Sequence, residues 1–178
     1  YPIERLPDYF NRVVVLPGYY ADEDSHLLEY IDDIFHQELA QERIFETIRY
    51  GTKKMKTIFG VERVSSSGEL PENFLRRLEE MTNANGVLFL DFDSYRPYRP
   101  ISIGVRAKLV DIKTGEFVWA IDETFDAGHA SIIVGSSIFQ EKEQVRALSA
   151  KTSGSVLHSP RIFAKYVAST TFSTLPLR

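Results

Sequence analysis

The apolar and polar positions alternate between short β-branched runs and stretches of helical spacing. Residues 1–11 carry two prolines and little pattern, and read as an N-terminal arm. Residues 12–16, Arg-Val-Val-Val-Leu, make a buried strand that Pro17-Gly18 stops. The acidic residues Asp22, Glu23 and Asp24 and the cap candidate Ser25 precede Leu27, Leu28, Ile31, Ile34, Phe35 and Leu39, a spacing that predicts a helix over 25–41. Residues 43–50 alternate, with Ile44, Glu46 and Ile48 on one side, and predict a strand. Residues 51–69 are the least legible stretch: Lys53, Lys54 and Lys56 form a basic patch, and 65–68 reads as a loop. A second helix starts at Glu69, with Phe74, Leu75, Leu78 and Met81 inward, and ends at Asn83–Gly86, where Asn or Gly suits a left-handed cap.

The sheet signal then strengthens. Residues 87–92 form an apolar run broken only by Asp91, as suits a central strand, and the chain turns polar at Asp93 and Ser94. Ile103, Val105, Ala107 and Leu109 alternate with Arg106 and Lys108. After the turn at 111–115, Phe117, Trp119 and Ile121 alternate on the return. Two alternating runs joined by a short glycine-containing turn make a β-hairpin over 101–124. Residues 132–147 read as helical and 149–155 as a loop. Ser159-Pro160 opens a last helix, with Ser as cap and Pro at its first position. The fold class predicted is α/β. It is a single domain over 1–178, with a mixed sheet of about five strands and helices packed on it.

Composition narrows the function. Hydrophobic residues make up 43% of the 178 and charged residues 26%, which fits a folded domain and argues against disorder. The net charge of −4 gives no electrostatic footprint for nucleic acid. The absence of cysteine removes disulfides, thiolate nucleophiles and zinc-ribbon or iron–sulfur ligation. No run of 18 apolar residues is present, so no transmembrane span is expected. The chain starts at Tyr1 rather than Met, as a processed product does.

Candidate chemistry is sparse. Asp91-Phe92-Asp93 is a DxD at a strand end, and strict alternation sets both carboxylates on one side, where they could share a divalent metal. A metal-dependent hydrolase or transferase using Asp91 and Asp93 is therefore the alternative function; a strand turning polar as it leaves the core is the plainer account. The four histidines, His26, His36, His129 and His158, lack metal-site spacing. There is no GxSxG elbow, P-loop or GxGxxG, so no catalytic residue, metal or cofactor is assigned. The most unusual feature is the tandem Tyr95-Arg96-Pro97-Tyr98-Arg99-Pro100. Its prolines favour an extended path, and Tyr and Arg are enriched at binding hot spots. Tyr95, Arg96, Tyr98 and Arg99 are the candidate binding residues, recognising a protein or an anionic polymer. Alternatively, the segment is a stiff connector between two strands.

Residues 105–119, Val-Arg-Ala-Lys-Leu-Val-Asp-Ile-Lys-Thr-Gly-Glu-Phe-Val-Trp, resemble the L-x-D-x-x-T-G-x-x-x-W hairpin of bacterial envelope lipoproteins. That group includes the curli-secretion lipoprotein and the penicillin-binding-protein activator lipoproteins, whose domain is similar to the amino-terminal domain of the Tol propeller protein. Val13–Pro17 resembles the group's first strand, Ala84-Asn85-Gly86-Val87 its approach to the central strand, and Ser159-Pro160 with Phe163 and Tyr166 the closing helix of related lipoproteins. Residues 51–69 and the Tyr-Arg-Pro repeat have no counterpart in that pattern. The resemblance implies a non-enzymatic interaction or scaffolding domain on the periplasmic side of the envelope. It also implies a lipid anchor upstream of Tyr1, an envelope protein or peptidoglycan-associated partner, and a homo-oligomer as one assembly state. The roles of these hairpin residues are folding roles: Thr114-Gly115 makes the turn, Asp111 bonds back to its amides, and Trp119 anchors the exit strand.

Overall fold

The computed structural model describes residues 5–146 and 155–177. Six strands form one mixed sheet. Strand β1, Arg12–Val15, lies between β3, Glu46–Arg49, and β4, Gly86–Arg96, and runs parallel to both. β4 continues into an antiparallel meander with β5, Ser102–Asp111, and β6, Phe117–Asp126. After Pro17-Gly18 the chain returns to β4 as the two-residue β2, Tyr19–Tyr20, opposite Asp91 and Phe92. The order is thus β3-β1-β4-β5-β6, with β2 extending the β1 side of β4.

β4 is buried on both faces from Val87 to Leu90, so each face needs its own cover. Leu88, Leu90 and Phe92 enter one core, beneath α1, Ile31–Glu42, and α5, Pro160–Phe172. Val87 and Phe89 enter a second core with Met55 and Phe59 of α2, Thr52–Phe59, and Phe74 and Leu78 of α3, Phe74–Thr82. Helix α4, Ala130–Arg146, lies beside α5, with Phe139 edge-on to Tyr166. The stretch 149–154 expected as a loop lies outside the described residues.

The departures from expectation have local causes. The helix expected over 25–41 is divided: Ser25 caps a single 3-10 turn, His26–Glu29, and α1 begins only after Tyr30, whose φ of −134° is not helical. Residues 52–59 are a helix, capped by Gly60 in the left-handed region at φ 76°. The second helix starts at Phe74 rather than near 69. In the hairpin a register shift at Leu109/Val110 turns Phe117 outward beneath the Lys108 ammonium, while Val118 and Trp119 are both buried.

The turn itself closes as its residues require. Asp111 Oδ1 accepts from the amides of Lys113 and Thr114 at 2.8 and 3.3 Å, and Gly115 takes φ 71°. The other carboxylate oxygen accepts from Tyr9 at 2.5 Å, and Trp119 Nε1 donates to Thr174 Oγ1 at 3.2 Å. Tyr9 and Thr174, from the two ends of the chain, therefore both fasten to this hairpin. Leu6 and Phe10 are buried, and the Leu6 amide donates to the Leu177 carbonyl.

Gly86 opens β4 where the Phe10 ring lies against its backbone, and a Cβ there would overlap that buried ring. Gly86→Ala is expected to cost about 1–3 kcal/mol by overpacking. The urea midpoint should fall, and adding Phe10→Leu should recover part of the loss. Glu38 on α1 is 3% exposed, and burial pushes its carboxyl up against the pull of Lys165. A carboxyl raised in the folded state contributes stability at low pH and loses it as pH rises through the raised value, starting from the ordinary range near about 4.3. Glu38→Gln should therefore flatten the decline in stability from about pH 4 upward, measured by urea unfolding at stepped pH.

Candidate functional site

The crossover α1 leaves β1 on one face of the sheet, and α2 leaves β3 on the other. The carboxyl ends of these strands are therefore a topological switch point, where open α/β sheets bind ligands. The concavities that matter lie at this end, divided by the 3-10 turn His26–Glu29.

One of about 700 Å³ lies between that turn and α2, with Asp24, Leu28, Thr52, Lys56 and Arg63 among its walls. Its cations are already paired. Lys56 Nζ lies 2.8 Å from Glu62, which holds the ammonium above its ordinary value and the carboxyl below. Arg63 lies 3.0 Å from Asp32 and also donates to the Gly18 carbonyl. Asp32 in turn accepts from the Gly18 amide at 2.7 Å, while burial raises its pKa. These contacts tie the segment 60–66 to the turn after β1.

The same segment accounts for the DxD. Asp91 is 5% exposed and accepts from the Ser66 amide at 3.0 and 3.1 Å, and from its hydroxyl. Asp93 is exposed, at a register shift between Phe92 and Ser94 that breaks the alternation, and its side chain lies over Gly104. Asp91 thus serves as a latch for 65–67. Among the described residues no three His, Cys, Asp or Glu side chains group as metal ligands.

The Tyr-Arg-Pro segment occupies the other side of the 3-10 turn. β4 runs on through Tyr95 and Arg96, so the repeat's first half is strand and its second half is the connection to β5. The two halves accordingly have different environments. Tyr95 and Tyr30 hydroxyls lie 2.8 Å apart, and burial with this bond raises the Tyr30 pKa. Arg96 donates from Nε to the Pro100 carbonyl at 2.6 Å and from Nη2 to Asp126 at 2.8 Å, bracing the loop from within. The Gly128 amide and the Arg96 ion pair hold Asp126 below the usual carboxylate range. Tyr98 is 79% exposed, and Arg99 is exposed without an ion pair among the described residues. The Arg99–Pro100 bond is cis.

Shallow depressions flank the loop. One of about 340 Å³ is lined by Tyr30, Tyr95, Pro97, Pro160 and Arg161, with Arg161 stacked 4.8 Å over the Tyr30 ring. The other, about 280 Å³, is lined by Arg99, Pro100, Ala127, Leu157 and His158. The four residues singled out in the sequence therefore divide. Tyr95 and Arg96 hold the loop, and Tyr98 and Arg99 project from it. Tyr30 and Arg161, from distant parts of the chain, complete the surface without any signal in the sequence.

No family model matches the chain, and no curated protein does. Solved structures do. A PelC variant from Paraburkholderia phytofirmans, solved as a dodecamer, superposes with a TM-score of 0.56 at 16% identity, over 98% of this chain and 93% of that one. The hypothetical protein CT253 from Chlamydia trachomatis gives 0.51 at 14% identity, over 92% and 97%. The LpoB C-terminal domain from Escherichia coli gives 0.46 at 14%, over 65% and 82%. At these identities the likeness shows the fold alone.

If Arg96 is a brace and Arg99 is not, their removal should differ in kind. Arg96→Ala is expected to lower stability by about 0.5–1 kcal/mol, a figure kept small by the exposure of the pair. Arg99→Ala should stay within about 0.5 kcal/mol of the parent. Chemical denaturation of both variants measures this, and equal losses would remove the distinction.

The PelC and CT253 superpositions place this chain among solved structures of the same α/β fold.

Proposed function

We propose that this chain is a non-enzymatic interaction domain of a bacterial cell-envelope lipoprotein, acting on the periplasmic side, and that it binds another envelope component through the loop 95–100. The observation that carries this reading is the division of labour within the repeat: Arg96 spends its guanidinium on Asp126 and Pro100, while Tyr98 and Arg99 stand clear of the body. A loop braced from inside loses little freedom when a partner closes on it. Exposed Tyr and Arg are the residue types that dominate interface energetics. The resemblance of the hairpin supports the lipoprotein and envelope setting. No helix among the described residues is long and apolar enough to cross a membrane, so the attachment proposed is a lipid upstream of Tyr1.

The ionisable groups support binding rather than catalysis. At the concavity beside α2, Lys56 pairs with Glu62 and Arg63 with Asp32, and Asp91 is committed to Ser66. The dodecameric PelC supports self-assembly as a further property of this chain.

A photo-crosslinking residue placed at Tyr98 and expressed in the source bacterium should yield discrete envelope adducts. The same residue at Met81, exposed on α3 in another part of the surface, should not. Adducts at 81 only, or at neither position, would remove the loop from the interface.

A further inference from the structure

The loop surface carries enough chemistry to name the class of its partner, an inference that rests on the binding role just proposed. Around the loop the charges do not cancel. Arg96 is neutralised by Asp126 at 2.8 Å. Arg99 has no carboxylate partner among the described residues, and Arg161 spends its cation on the Tyr30 ring rather than on an acid. Glu29 lines the same depression, with His26 Nδ1 2.9 Å from its Oε1. Two guanidinium groups thus stand against one carboxylate, an excess of positive charge on a chain whose net charge is −4. A partner that matches this patch is anionic, and planar forked guanidinium groups favour carboxylates.

The shape narrows the class further. Depressions of about 340 and 280 Å³ lie on the two sides of the loop rather than in one enclosed cavity. They lie at the bottom of the range of a typical small-molecule site, about 300–1,000 Å³. A ligand that uses both must cross the loop. Beside the charged groups, their walls carry rings and aliphatic groups: Tyr30, Tyr95, Pro97 and Pro160 on one side, Pro100 and Leu157 on the other. The Tyr30 and Tyr95 hydroxyls bond to each other, which occupies one of their two donors. Aromatic and proline-lined grooves of this kind take extended, proline-containing peptide, which is already ordered before it binds.

We infer that the partner presents an extended, proline-containing acidic peptide segment that lies across 97–99, its carboxylates at Arg99 and Arg161 and its apolar groups in the two depressions. The probe is a fluorescein-labelled dodecapeptide of alternating Glu and Pro, with the Gln-Pro peptide as its neutral counterpart, read by fluorescence anisotropy on the full chain. The Glu-Pro peptide should bind saturably, at least tenfold more tightly than Gln-Pro, and should weaken as sodium chloride is raised. Arg99→Ala with Arg161→Ala should weaken it at least fivefold with an unchanged melting temperature. Lys53→Ala with Lys113→Ala, which removes the same charge elsewhere, should leave it unaltered.

Equal binding of the two peptides, no binding of either, or equal loss in both double variants overturns the inference. If the arginine variant melts early, Arg99→Gln with Arg161→Gln replaces it, under the same criteria. Sonicated peptidoglycan fragments form the last arm: if they bind in an Arg99-dependent way and the Glu-Pro peptide does not, the peptide assignment is wrong. Crosslinks at position 98 would still stand in that case, so the two readings fail separately.

Discussion

β4 is apolar on both faces from Val87 to Leu90, and a strand of that kind is stable only between two layers. Much of the architecture follows from this requirement. The first crossover, through α1, covers Leu88 and Leu90. The second, through α2 and α3, covers Val87 and Phe89. Because the two crossovers leave β1 and β3 toward opposite faces, the layers part at the carboxyl ends of the parallel strands. The 3-10 turn, the tether of 60–66 and the Tyr-Arg-Pro loop are all at that end. The proposed binding surface is in this sense a by-product of covering one strand twice.

The polar groups at this end then sort by how they satisfy the backbone and one another. Asp91 is the first carboxylate on β4 after the apolar run. A buried carboxylate is costly unless it is hydrogen-bonded, and Ser66 supplies the donors. Asp32 meets the same need with the Gly18 amide and Arg63. Each of these acids fixes a loop. What remains unspent is what stands on the Tyr-Arg-Pro loop, and the contrast between saturated acids and projecting Tyr98 and Arg99 gives the site its character.

The sequence was most legible where local chemistry and tertiary need agree. The Val13–Val15 run, the apolar stretch of β4, the Asp111–Gly115 turn and the Ser159-Pro160 helix start each read correctly because the residue types suit one conformation and the core uses that conformation. It was least legible where distance decides. Helix α2 has Met55, Ile58 and Phe59 at helical spacing, but it spans two turns, and its N-cap Gly51 offers no side-chain bond, so the lysines obscured it. The break falls at Tyr30, whose hydroxyl bonds to that of Tyr95, 65 residues on. The hairpin's bulge moved Phe117 to the surface, an outcome that strict alternation does not anticipate.

The repeat shows why a motif does not contain its own interpretation. Tyr95-Arg96-Pro97 and Tyr98-Arg99-Pro100 are identical triplets, so propensity, charge and hydropathy cannot separate them. They differ only in that the first tyrosine and arginine still belong to β4, where the strand aims Arg96 at Asp126, the last residue of β6. The second pair has left the sheet. One arginine is therefore architecture and the other is available, and the boundary is set by where β4 ends. A chain that duplicates such a triplet at a strand end obtains its own brace in this way. The first copy stiffens the loop from which the second projects, which is the pre-organisation that a flexible single copy would lack.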